Sequence, residues 1–81
     1  LNTLGEVKSF IGKSLTTIEM FGSDAQFRVL FSEKAKGVGL AIAEELGITT
    51  EEAKRLPDEQ KLGPKSSEAF TSFREWFETN Q

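Results

Sequence analysis

TTIEMFGSDAQFRVLF, residues 16–31, is the stretch on which the fold turns. TTIEMF and QFRVLF flank GSDA, both are rich in strand formers, and Phe27, Val29 and Phe31 alternate as in a half-buried strand. A β-hairpin over residues 15–31 would make the fold α+β. The helical alternative draws on residues to either side. Leu4, Val7, Ile11, Leu15 and Ile18 carry one apolar stripe at helical spacing into the stretch, and Gly22 stands where a helix ends in left-handed backbone. Ser23 with Gln26 makes a capping box, and Asp24 suits the helix dipole and can pair with Arg28. Phe27, Leu30, Phe31 and Ala35 would then face the core from a second helix ending near Lys36. Thr3 with Glu6 supplies an earlier capping box, and successive cap signals have no place in a hairpin. The helical alternative is therefore preferred, although Gly5 and Gly12 each weaken the first helix by about 1 kcal/mol.

Downstream, Gly37-Val38-Gly39 is expected to break or kink the chain, with a third helix from about Val38 to Leu46 closed by Gly47. Thr49 with Glu52 forms a further capping box, Ile48 takes the staple position before it, and Pro57 stops a short helix. Residues 57–63, PDEQKLG, can form one more helical turn, and Gly63–Ser66 reads as a loop. The last helix runs from about Ser67 to Asn80, with Ala69, Phe70, Phe73, Trp76 and Phe77 in one stripe. The expected fold is all-α: a compact bundle of four to five short helices with a central helix-turn-helix-like pair. Residues 1–81 form a single small domain, and the start at Leu1 suits one excised from a longer protein.

Composition limits the chemistry. The chain has 81 residues, 37% of them hydrophobic and 28% charged, which suits a globular domain. It contains no Cys, His or Tyr, so the commonest nucleophiles, general bases and zinc ligands are missing. Glu44-Glu45 and Glu51-Glu52 are adjacent pairs that do not face one another on a helix, and Glu75 with Glu78 lies on a solvated face. No catalytic, cofactor-binding or metal-ligating residue is expected, and no cofactor. The apolar runs are shorter than the roughly 18 residues of a membrane span, so no membrane partner is expected and a soluble, cytoplasmic setting is favoured. The net charge of −3 gives no overall basic stripe for phosphate neutralisation.

Two local resemblances follow. SEKAKGVGLAIAEELG, with Gly37 and Gly39, resembles the glycine-rich turn and first helix of short-chain dehydrogenases, which cradle a cofactor pyrophosphate. Glu33 stands where that pattern has its first glycine, and a carboxylate there repels phosphate, so glycines at a helix junction are the preferred reading. Gly37–Leu56 resembles helix-turn-helix DNA-binding domains: Ile42, Ala43, Leu46, Gly47, Ile48, Thr49 and Leu56 fill the places of that pattern, and Ala53 stands where Val or Ile is usual. The resemblance implies DNA contacts from Thr50, Lys54 and Arg55, with Glu51 and Glu52 unfavourably placed at the helix start. The leading expectation is a non-catalytic recognition or regulatory module that binds another protein. Its binding surface would be aromatic: Phe70, Phe73, Trp76 and Phe77, in FTSFREWF. Sequence-specific DNA binding is the alternative.

Overall fold

The computed structural model describes residues 3–22 and 24–80, and it is all-α. Helix α1 spans Leu4–Phe21, α2 Ala25–Leu46, α3 Thr50–Lys54 and α4 Pro64–Thr79. The hairpin over 15–31 is not formed. Its first half is the end of α1 and its second half the start of α2, and local groups explain this. The Thr16 and Thr17 hydroxyls donate to the carbonyls of Gly12 and Lys13, so these strand-forming residues are satisfied within the helix. Gly22 adopts left-handed backbone (φ 66°) and donates to Ile18 O at 3.1 Å, which ends α1. Asp24 caps α2, its carboxylate accepting from Phe27 N at 2.7 Å. The capping box expected at Ser23 lies outside the described residues. With its carboxylate committed to the cap, Asp24 makes no ion pair with Arg28 among the described residues.

The expected break at Gly37–Gly39 does not occur. Both glycines lie inside α2, a single helix of 22 residues that extends about 33 Å. Between Lys34 and Leu46 there is no Ser, Thr, Asp or Asn to cap a new helix, and neither glycine adopts positive φ. Phe31, Val38 and Ile42 are buried on one face, so core packing on both sides of the glycines outweighs their low propensity. Leu15 and Leu30, expected in the core, are instead exposed, while Ser14 on α1 is buried.

Two further corrections concern helix ends. Residues 57–63 form no helix; their backbone is recruited to cap α1 instead. Leu4 and Gly5 donate to the carbonyls of Gln60 (2.8 Å) and Asp58 (3.0 Å), which satisfies donors that a helix start leaves open. The Lys8 ammonium reaches the Asp58 carboxylate at 3.1 Å, and an isolated antiparallel bridge joins Thr3 and Lys61. Gly5 is needed here, because an added Cβ would lie 3.0 Å from Asp58 Cβ and 3.2 Å from its carbonyl oxygen. Helix α4 begins at Pro64, three residues before the expected Ser67, so Gly63–Ser66 is mostly helix. The cap comes from α2. The Glu45 carboxylate accepts from Lys65 N at 2.8 Å and from the buried Ser66 hydroxyl at 3.1 Å. No described helix is long and apolar enough to cross a membrane.

Candidate protein-binding surface

Six of the seven Phe and the single Trp converge where α1, α2 and α4 meet. Phe10 of α1 lies edge-on to Phe70, Phe73 and Phe77 of α4, with centroids 5.7, 5.8 and 5.9 Å apart. Phe31 of α2 does the same with Phe73 and Phe77. Such pairs add about 0.5–1.5 kcal/mol each beyond the area they bury. Phe70, Phe73 and Phe77 are 1%, 2% and 4% exposed, so three of the aromatic residues expected at a surface are spent on the core. Trp76 differs. It is half-buried, stacks on Phe27 at 5.3 Å with the rings 11° from parallel, and carries the Lys34 ammonium 6.0 Å from its centroid.

The seventh Phe is placed quite differently. Phe21 is 79% exposed and Met20 73%, at the last turn of α1. Across the Gly22 turn, Val29 and Leu30 of α2 are exposed as well. Phe27 belongs to the first turn of α2, so the Trp76–Phe27 stack stands at the same end of the molecule as this apolar corner. The large exposed apolar side chains all lie on α1 and α2, and none on α4. Isolated exposed apolar residues are ordinary, but several together around one turn mark an interaction site more often than chance. The sequence carried part of this signal: Met20 lies off the Leu4–Ile18 stripe. Leu30 carried the opposite one, since its spacing from Phe27 and Phe31 suits a core position.

The α2–α3 joint is a short connection closed at both ends by local hydrogen bonds. Gly47 is left-handed (φ 69°), Ile48 N–H donates to Ala43 O, and the Thr49 hydroxyl accepts from Glu52 N at 3.2 Å while donating to its carboxylate. Helix α3 has only 5 residues, about 7.5 Å of helix. Thr50 is half-buried, Lys54 is exposed with its ammonium 3.6 Å from Glu51, and Arg55 is exposed at the C-cap. Glu51 and Glu52 occupy the first turn. Gly37 and Gly39 sit in mid-helix, so they form no glycine-rich turn between strand and helix. No known family matches the chain, and no curated protein or solved structure is significantly similar to it.

Proposed function

We propose that this chain is a non-catalytic helical module that binds another protein through the corner where α1 meets α2. The observation that carries the proposal is the exposure of Met20 and Phe21 at the end of α1 and of Val29 and Leu30 near the start of α2, in a chain that packs its other aromatics in or against the core. Phe21 and Met20 are the natural anchors, because large apolar side chains desolvated at the centre of an interface supply most of its free energy. Trp76, stacked on Phe27 at the same end, extends the surface and keeps one member of the aromatic stripe in the reading. The absence of His, Cys and Tyr supports a role without catalysis. Duplex DNA binding through Thr50, Lys54 and Arg55 is the weaker reading, since α3 is short and presents Glu51 and Glu52 first.

The test is capture from native extract by immobilised wild-type protein and by a Met20→Ser/Phe21→Ser variant, each with and without nuclease. Both substitutions are at exposed positions, so each should move folding stability by no more than about 0.5 kcal/mol. A nuclease-resistant partner retained by wild type and lost by the variant supports the proposal. Capture that the variant leaves intact ends it. Capture that nuclease removes, and that Lys54→Glu with Arg55→Glu abolishes, transfers the function to α3 and DNA.

A further inference from the structure

A second surface feature lies away from that corner. Helices α1, α2 and α3 enclose a groove of about 570 Å³. Ile11, Ala35, Gly39 and Leu40 line it, and the core residues Val7, Ile42 and Ala53, almost wholly buried, lie behind them. The groove is open at Gly39, where an added Cβ would meet no heavy atom within 4 Å. Its volume falls in the range of small-ligand sites, about 300–1,000 Å³, and is too small for a second folded domain. The charged side chains that line it are Lys8, Lys36, Lys54 and Glu51. In a chain whose net charge is −3, three of the ten basic residues therefore gather at one apolar groove. Lys8 and Lys54 each hold an exposed carboxylate, Asp58 and Glu51, in pairs of the kind that rearrange at little cost. Lys36 has no ion pair among the described residues.

An apolar trough lined by three lysines and one glutamate complements an alkyl chain that ends in an anion. We propose that the groove binds a free fatty acid, its chain along Ile11, Ala35, Gly39 and Leu40 and its carboxylate among Lys8, Lys36 and Lys54. This is independent of the partner proposed for the α1–α2 corner.

Titration of the 15N-labelled protein with octanoate, decanoate and dodecanoate, all below micellar concentration, tests it. Amide shifts should concentrate at Val7, Ile11, Ala35 and Gly39, and each two-carbon extension should tighten binding about tenfold. Gly39→Leu should fill the groove and weaken dodecanoate binding at least tenfold with no loss of thermal stability, since leucine is the better helix former. Lys36→Glu should weaken it by roughly tenfold in low salt. The proposal is overturned if dodecyltrimethylammonium binds as well as dodecanoate, or if the shifts centre on Met20 and Phe21. It is equally overturned if Gly39→Leu binds like wild type, or if binding is seen only to anionic vesicles.

Discussion

Glu45 does two things that its sequence neighbourhood does not announce. Next to Glu44 it looks like half of a solvated acidic pair, yet its carboxylate reaches across to α4 and stands in for the capping side chain that Gly63 lacks. It also provides the hydrogen bond of Ser66, which is 1% exposed. Removing it costs the cap and leaves a buried hydroxyl without a partner, so Glu45→Ala should lower stability by about 2 kcal/mol in urea denaturation. Gly63 is tied to the same device. A Cβ there would run into the Glu45 carboxylate, the mobile end of a flexible side chain, so Gly63→Ala should act mainly by displacing the cap. Its cost should be about 1 kcal/mol, and in the Glu45→Ala background it should shrink to the few tenths of a kcal/mol by which an N-cap prefers glycine to alanine. Simple additivity of the two substitutions would show that Gly63 is required for another reason.

Helix ends were more legible in the sequence than helix interiors. Gly22 and Gly47 were readable as left-handed ends, and Thr3 and Thr49 as caps, because each acts through hydrogen bonds within four residues of itself. The start of α4 was not, since its cap is contributed from 20 residues away by Glu45. The capping of α1 by the carbonyls of Asp58 and Gln60 was hidden for the same reason. The interior of α2 failed differently: glycine propensity argued for a break, and the missing cap between Lys34 and Leu46 together with the burial of Phe31, Val38 and Ile42 decides against one. An aromatic stripe was legible at α4, but periodicity shows that a face is apolar and not what covers it. Phe70, Phe73 and Phe77 turned out to be covered by Phe10 and Phe31. The unbroken α2 gives a direct expectation. Gly37 is exposed, helical and without neighbours near its missing Cβ, so Gly37→Ala should stabilise the protein by about 1 kcal/mol. A lower melting temperature in that variant would mean that the helix needs a bend there.

Across the whole molecule, α1 is held by its buried Leu4, Val7 and Ile18, by the loop that caps it and by Phe10 in the aromatic cluster. A domain of 81 residues has only about 4–12 kcal/mol of stability to lose. Phe10 is the residue through which α1 meets three rings of α4, so Phe10→Ala should cost about 3 kcal/mol. Phe21→Ala, at an exposed position on the same helix, should be nearly neutral. Comparing their urea midpoints separates a phenylalanine that builds the fold from the one left exposed, and equal losses would contradict that division. The loop that caps α1 has a consequence in time. Lys8 and Asp58 are 50 residues apart, so on a ribosome α1 emerges long before the carbonyls that complete its first turn. At about 5–20 residues per second, several seconds separate the two. The opening turn of α1 is thus finished by a segment that follows α3 in the chain, and its closure reports that synthesis has passed α3.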